Sequence, residues 1–179
     1  GATGARAVTP PVNAASNARV ISGDTLRAML ANRFADASSL GESVAILGSG
    51  IVAVEIAEYL ARNGKTVHLV SSDNRLAGEV GKKRRGEESR RLDAAGVIVN
   101  TGVQVDSVDT TGVHITVAGR QRLVPADSVL VPDAYVADTA LADALAGAAP
   151  VVTAIGDATG FGLIRKAVEE ATVAIYALA

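Results

Sequence analysis

The residues with the clearest chemistry in this sequence form a short glycine-containing segment of the pattern G-x-G-x-x-A. Gly48 permits a tight turn, Gly50 has no Cβ to block a phosphate near the backbone, and Ala53 lets a helix lie close to a strand. Free N–H groups at a helix N-terminus bind phosphate oxygens. The segment therefore predicts a site for the pyrophosphate of a dinucleotide, and a glycine turn that only permits close packing is the alternative. The residues of this segment are Gly48, Ser49, Gly50, Ile51, Val52 and Ala53.

A second group of residues bears on which dinucleotide would bind. Proteins with this motif place an acidic residue about 20 positions further on, where it binds the adenosine ribose. Ser71 stands at that place here, and Arg75 follows it. A small hydroxyl followed by a guanidinium suits a 2′-phosphate better than a 2′-hydroxyl, which favours NADP(H) over NAD(H). Asp73 would serve an NAD ribose instead, and a solvated loop cation is the alternative for Arg75.

Three further titratable residues lie in the predicted elements. Glu55 is expected in the first turn of the helix after the motif, where a ligand role near the nicotinamide and a simple interaction with the positive helix end are both open. His68 and His114 have no partner carboxylate at motif spacing, so structural roles are expected. The sequence has no nucleophile elbow, P-loop lysine or metal-ligand cluster, so we predict neither a catalytic residue nor a metal site, and a hydrolase is not supported.

The elements that must position the motif follow from the apolar pattern. Residues 44–47 are a continuous apolar run that ends at the motif, which is typical of a buried parallel strand. Between 51 and 62 the few polar residues leave most of a helix surface apolar, and 66–70 form a second strand. Strand, helix and strand in this order predict a βαβ unit.

Further elements are predicted on both sides of this unit. They are a loop over 1–11, a helix over 24–32, an exposed helix over 81–95, a parallel strand over 97–99, a hairpin of 103–105 with 113–117, β segments at 123–124 and 129–131, a helix over 139–145, a strand over 151–155 and a closing helix over 160–178. The predicted fold class is α/β, a Rossmann-like parallel sheet with helices on both faces plus an antiparallel β meander.

Composition narrows the classes of function. The chain has 179 residues, a net charge of −2, 49% hydrophobic residues and 3% aromatic residues. The near-neutral charge argues against binding nucleic acid or a membrane surface by bulk electrostatics. Because the chain has no cysteine, any redox chemistry would come from a bound cofactor. The N-terminus shows no signal-peptide pattern, which predicts a cytoplasmic location, and its first residue, glycine, predicts a fragment or a processed chain.

Three separated motifs resemble, in order, those of flavoproteins with two dinucleotide-binding domains. Residues 2–5, Ala-Thr-Gly-Ala, resemble the ATG motif where the FAD domain meets the NAD(P)H domain. Residues 48–55 resemble the G-x-G-x-x-G-x-E of the inserted NAD(P)H domain, and residues 155–158, Ile-Gly-Asp-Ala, resemble the GD motif where the chain returns to the FAD domain. The resemblance implies FAD contacts by Thr3, Gly4, Gly156 and Asp157, with the aspartate bonding the ribityl chain.

Residues 76–97 and the closing helix look most like the C-terminal part of NADH:flavin oxidoreductases of the 2,4-dienoyl-CoA reductase and trimethylamine dehydrogenase type. Those enzymes are long chains with an FMN-binding TIM barrel, a 4Fe-4S cluster and this reductase module, so the resemblance implies FMN and 4Fe-4S only for a missing part. It divides the chain into 1–36, the end of an FAD-domain segment and linker, 37–148, the NAD(P)H-binding domain, and 149–179, the return to the FAD domain. The FAD site would be incomplete, because the N-terminal FAD half is absent.

The leading functional prediction is a module of a flavin-dependent oxidoreductase that binds NAD(P)H, passes hydride to FAD and works with the remainder of a parent flavoprotein. The isolated chain would lack the substrate site and catalytic competence. Residues 132–135, Pro-Asp-Ala-Tyr, lack the glycine expected of a second ATG-like motif, which counts against normal nicotinamide access. A non-catalytic ADP-binding domain, as in the trimethylamine dehydrogenase branch, is therefore the first alternative, and an interaction domain with a relic motif is another.

Overall fold

The computed structural model describes residues 4–162 and 164–177. The helices are α1 (Gly23–Ala31), α2 (Ile51–Arg62), α3 (Lys82–Ala95), α4 (Ala140–Ala144) and α5 (Ile164–Tyr176). The strands are β1 (Ala5–Val8), β2 (Val20–Ser22), β3 (Ser43–Leu47), β4 (Thr66–Val70), β5 (Ile98–Asn100), β6 (Gln104–Asp109), β7 (Gly112–Val117), β8 (Arg120–Pro125), β9 (Ser128–Val131) and β10 (Ala134–Ala137). Among the helices described, none has the length and apolar character needed to cross a membrane.

The chain divides into two compact units, Thr9–Pro132 and Gly1–Val8 together with Asp133–Ala179. The predicted segment boundaries at 36/37 and 148/149 differ from the boundaries of these two units. The predicted segments are defined by membership of an FAD domain, whereas the units are defined by compactness within this chain. The assignment of the outer segments to an FAD domain stays a prediction.

The unit Thr9–Pro132 is built on a parallel sheet. Its five strands lie in the order β2-β9-β3-β4-β5, and every neighbouring pair is parallel. The βαβ unit predicted around the motif is β3-α2-β4, in which Val44 lies opposite Val67 and Leu47 opposite Val70. These strands are apolar on both sides because both faces of the sheet are buried. The prediction of this unit is confirmed, and the third parallel strand begins at Ile98, one residue later than predicted.

Different elements cover the two faces of this sheet. On one face Val44, Ile46 and Leu69 share a core with Leu60 and other residues of α1, α2 and α3. On the other face Ala45 and its neighbours share a second core with residues of β6, β7 and β8. The predicted fold class is confirmed, but in this unit the meander takes the face where the sequence predicts further helices. The alternating apolar residues of the meander bury that face without a helix.

The meander, β6-β7-β8, is antiparallel and includes the predicted hairpin. Gly112 begins β7 with a φ of +137°, and a Cβ there would collide with the carbonyl oxygen of Val124 on β8. Glycine is therefore required at this position, both for the backbone conformation and for the space.

Helix α3, predicted to be exposed, has one buried edge. Leu92 is 1% exposed and Glu88 is 3% exposed, although the helix is dense in charge. Glu88 pairs with Arg84 and Arg91, each at 3.4 Å, and Arg91 also reaches Glu58 of α2 at 3.2 Å. The prediction was wrong for this edge because a run of charged residues does not show which carboxylates are paired and buried.

The unit formed by Gly1–Val8 and Asp133–Ala179 contains the antiparallel pair β1-β10 with α4 and α5. Two predictions are wrong here. The loop predicted over 1–11 contains β1, whose partner lies far along the chain, with Ala5 opposite Ala137. The strand predicted over 151–155 is irregular, because no described strand pairs with it and a strand needs a hydrogen-bonded neighbour. The predicted closing helix begins at Ile164, and its predicted last residue, Leu178, lies outside the described residues.

Candidate dinucleotide-binding site

The glycine turn lies between β3, the middle strand of the sheet, and the N-terminus of α2. Gly48 has a φ of +147°, and its N–H donates to the carbonyl oxygen of Val70 on β4 at 2.9 Å. A Cβ on Gly48 would lie 3.6 Å from the Cβ of Ala53, which is 2% exposed. The small side chain of Ala53 therefore lets the helix approach the turn, as its place in the motif predicts.

Gly50 is the N-cap residue of α2, with φ −65° and ψ 166°. Any residue can adopt this conformation, so the glycine matters here for space rather than for backbone freedom. A Cβ on Gly50 would lie 3.1 Å from a carboxylate oxygen of Glu79, and the N–H of Ile51 donates to that oxygen at 2.5 Å. The sequence analysis did not find Glu79, because no motif links it to a turn 28 positions earlier.

The residues after β4 meet the glycine turn through Asp73. Its carboxylate accepts a hydrogen bond from the hydroxyl of Ser49. Ser71, the residue predicted at this place, is 6% exposed, and its hydroxyl accepts the N–H of Asp73 at 3.1 Å. The structure therefore places the alternative residue Asp73 at the turn and holds the hydroxyl of Ser71 within the loop.

Arg75 lies in a basic groove with a cavity volume of about 540 Å³. Lys82 and Arg85 of α3 line the same groove, and the sequence analysis did not associate them with Arg75. The remaining lining residues are Asn74, Leu76, Gly86, Ser89, Val99 and Thr101. Arg75 therefore lies on a concave surface with several cations. It is also exposed, as the alternative interpretation of a solvated loop cation requires.

Glu55 does not lie in the first turn of α2, so that prediction is wrong. The helix begins at Ile51, which places Glu55 in the second turn. Its side chain is 61% exposed, and a carboxylate oxygen lies 3.8 Å from the guanidinium of Arg84 on α3. This ion pair on the surface is a weak interaction.

The GD motif occupies a short 3-10 helix, Gly156–Thr159, in the other unit. The N–H of Gly156 donates to the carboxylate of Glu170 at 2.7 Å, and Asp157 accepts the N–H of Gly162 at 3.0 Å. A cavity of about 310 Å³ is lined by residues that include Gly4, Gly156 and Asp157. Three predicted FAD contacts thus share one cavity, and the fourth, Thr3, lies outside the described residues.

Side chains of α5 hold the GD turn in place, which the sequence did not predict. Glu170 accepts the hydroxyl of Thr159 at 2.9 Å, and Lys166 donates to the carbonyl oxygen of Gly156 at 3.0 Å. The Thr159 hydroxyl, then the Gly156 N–H and the Lys166 ammonium, lower the pKa of Glu170 below its usual value. Glu170 is therefore held as an anion against the turn.

The two histidines differ in their surroundings. Burial lowers the pKa of His68 on β4, and its Nδ1 has no hydrogen-bond partner among the described residues. His114, by contrast, has a carboxylate partner that its sequence spacing does not reveal: its Nε2 lies 2.7 Å from Asp109 across the hairpin. Both remain interpreted as structural residues.

The unit Thr9–Pro132 has a parallel sheet, a glycine turn between the middle strand and a helix, and a carboxylate after the next strand. Together these features define a nucleotide-binding α/β protein of the Rossmann-like class. The chain belongs to the pyridine nucleotide-disulphide oxidoreductase family, whose sequence model matches residues 2–176. The resemblance predicted from the three motifs is thereby confirmed.

Known proteins similar to this chain are considerably longer than it. A metal reductase of Desulforamulus reducens is 25% identical over an alignment of 199 residues. The alignment covers 95% of this chain and 29% of the reductase. The structure of 2-naphthoyl-CoA reductase in complex with 2-naphthoyl-CoA matches with a TM-score of 0.71 and 26% identity, over 94% of this chain and 25% of that one. The water-forming NADH oxidase of Lactobacillus brevis, in a structure with bound NADH, matches with 20% identity and a TM-score of 0.58, over 86% of this chain and 34% of the oxidase. This match shows a shared fold alone.

Proposed function

We propose that this chain is the nucleotide-binding module of a flavin-dependent oxidoreductase, which binds NAD(H) at the glycine turn and passes hydride to FAD. The observation that carries the proposal is the bare backbone of Gly48 and Gly50 at the start of α2, with Asp73 held at the same turn. Membership of an oxidoreductase family supports it, as do two longer relatives that are reductases by name. The site for the final substrate would lie in the remainder of a longer protein.

The residues of the turn fit a dinucleotide. Bound NADH would supply the hydride, while the protein binds and orients it. In our proposal the N–H groups of Ile51 and Val52 at the start of α2 donate to the pyrophosphate, since an α-helix leaves its first N–H groups without a partner in the helix. The Ile51 N–H, which donates to Glu79 in the structure, would exchange that partner for the phosphate. Gly48, Ser49 and Gly50 keep side chains clear of the backbone on which the phosphates would lie, apart from the small Ser49 hydroxyl.

We assign the adenosine ribose to Asp73 rather than to Ser71. The carboxylate of Asp73 already accepts the Ser49 hydroxyl at the turn, whereas the Ser71 hydroxyl is buried and engaged within its own loop. A carboxylate accepts a hydrogen bond from a ribose 2′-hydroxyl and repels a 2′-phosphate. The proposal therefore favours NAD(H) over NADP(H), which reverses the preference drawn from Ser71 and Arg75.

The GD turn would supply only part of an FAD site. The cavity beside Gly4, Gly156 and Asp157, about 310 Å³, is at the small end of ligand pockets, which span roughly 300–1,000 Å³. In our proposal Asp157 bonds the ribityl chain of FAD, and the rest of the flavin site comes from the remainder of the longer protein. FMN and a 4Fe-4S cluster would belong to that remainder as well.

Calorimetric titration of the chain with NADH, NADPH and ADP tests the proposal. We expect NADH and ADP to bind, and Gly50→Val to weaken both by more than about tenfold, since a side chain there enters the space the phosphates need. Gly81→Val is the matched control, because Gly81 is also an N-cap residue, with φ −63° and ψ 156°, and its Cβ would meet nothing within 4 Å. Absence of binding by the wild-type chain, or equal binding by Gly50→Val, would contradict the proposal.

A passive ADP-binding domain is the second candidate. It is favoured by residues 132–135, which lack the expected glycine and include the first two residues of β10. If ADP and NADH bind with equal affinity, the nicotinamide half contributes nothing and this candidate is preferred. Tighter binding of NADH than of ADP would exclude it.

A further inference from the structure

The N-terminus of α2, where our proposed function places the pyrophosphate, already holds an anion from the protein itself. Glu79 lies in the loop between β4 and α3, and its carboxylate accepts the N–H of Ile51 at 2.5 Å. The same carboxylate oxygen is the atom nearest to the space above Gly50, at 3.1 Å from an added Cβ. Glu79 therefore occupies both the hydrogen-bond donor and the free space that a phosphate would use.

The loop that carries Glu79 is firmly attached beneath it. Leu76, Ala77 and Val80 are 9%, 0% and 4% exposed and belong to the core on the helix-covered face of the sheet. Ala77 adopts a left-handed conformation, with φ +46°, and its N–H donates to the carbonyl oxygen of Ser49 at 2.6 Å. An alanine rarely adopts this conformation, so the surrounding contacts must hold it there. The loop thus places Glu79 at the turn, with its side chain half buried.

The charge of Glu79 is balanced at this position by the helix alone. None of the ion pairs formed among the described residues includes Glu79. The positive end of α2 and the donated N–H are the groups that stabilise its carboxylate. A pyrophosphate needs the same N–H and the same helix end, and two anions cannot share one donor without strong repulsion.

We propose that Glu79 is an internal competitor for the phosphate subsite and so determines the affinity of this chain for nucleotides. This inference rests on the proposed function. Nucleotide binding requires the Glu79 side chain to leave Ile51 and enter solvent, so part of the phosphate interaction energy is used to displace it. The competition acts on every ligand through its phosphates and leaves the adenosine portion unaffected.

The test compares the wild-type chain with Glu79→Gln by calorimetric titration with ADP and with adenosine. We expect Glu79→Gln to bind ADP at least about tenfold more tightly than the wild type, because the competing charged hydrogen bond is weakened and the repulsion between the two anions is removed. Adenosine, which has no phosphate, should bind both proteins equally. Glu87→Gln is the matched control, because this substitution removes the same charge from the protein and Glu87 lies on the exposed side of α3.

The outcomes separate this inference from the proposed function. Equal or weaker binding of ADP by Glu79→Gln, with measurable binding by the wild type, overturns the inference and leaves the nucleotide site intact. A gain shared by Glu87→Gln, or an equal gain for adenosine, also overturns it, because the effect would not be specific to the phosphate subsite. Failure of every variant to bind ADP overturns both. Glu79→Ala, checked for folding by its circular dichroism spectrum, should show the same gain as Glu79→Gln.

Discussion

Asp73 connects two positions that the motif rules treat separately, because it follows the second strand of the βαβ unit and bonds to Ser49, the second residue of the glycine turn. Its hydrogen bond with the Ser49 hydroxyl holds the carboxylate at the turn. Preorganisation of this kind lowers the entropy that binding must offset. At the scale of single residues, Asp73 is therefore the position that should determine the choice between NAD(H) and NADP(H).

We predict that Asp73→Ser shifts the ratio of NADH affinity to NADPH affinity toward NADPH by about tenfold or more, since it removes one charged hydrogen bond and one repulsive carboxylate. The two dissociation constants, measured calorimetrically for each protein, give the ratio. Asp93→Ser, at the exposed C-terminal end of α3, is the control with the same change of charge. An unchanged ratio in Asp73→Ser would assign cofactor choice to other residues, the basic groove at Arg75 first among them.

A second prediction concerns pH. The Thr111 hydroxyl and N–H, and then His114, lower the pKa of Asp109 from its usual 3.8 to about 2. Because the pKa is lower in the folded state, Asp109 stabilises the hairpin above its unfolded-state pKa, and this contribution is lost as pH falls through the folded-state value. The melting temperature of the wild type should therefore exceed that of Asp109→Asn at pH 5 and converge with it between about pH 4 and pH 2. A difference that stays constant over this interval would contradict the assignment.

At the scale of elements, the packing of α3 on α2 depends on carboxylates that are themselves buried. Glu58 and Glu88 have side chains that are 9% and 4% exposed, and Arg91 is the residue that pairs with both. Each carboxylate also has a second cation, because Glu58 pairs with Arg62 at 2.8 Å and Glu88 with Arg84 at 3.4 Å. Removing one partner of a buried ion pair is destabilising, and less so where a second cation remains. Loss of this one arginine therefore removes an ion pair that joins the two helices and leaves each carboxylate with one cation on its own helix.

We predict that Arg91→Met lowers the free energy of unfolding by about 1–2 kcal/mol, a value reduced because the arginine itself is half exposed. Arg90→Met, one position earlier and exposed, should change it by less than about 0.5 kcal/mol. Urea unfolding followed by circular dichroism measures both. Equal effects of the two substitutions would show that the paired carboxylates are sufficiently solvated without Arg91.

At the scale of the whole molecule, the parts predicted correctly are those specified by neighbouring residues. The apolar run of β3, the glycine turn and the apolar surface of α2 are contiguous, so the βαβ unit and the position of its glycine turn followed from local patterns. β1 could not be predicted, because Ala5-Arg6-Ala7-Val8 becomes a strand only by pairing with β10, far along the chain. Glu79 and the pairing of His114 with Asp109 likewise depend on the folded loops rather than on spacing.

The strand order also has a consequence for how the chain is synthesised. β9 lies between β2 and β3, so an internal position of the sheet is filled by the last of its strands to leave the ribosome. Until residue 131 has emerged, one side of β3 has no hydrogen-bonding neighbour, and unpaired strand edges promote association between chains. The nucleotide motif is thus translated early, but the sheet that supports it is completed only after the whole meander. Slow translation between residues 71 and 131 should therefore lower the yield of soluble protein.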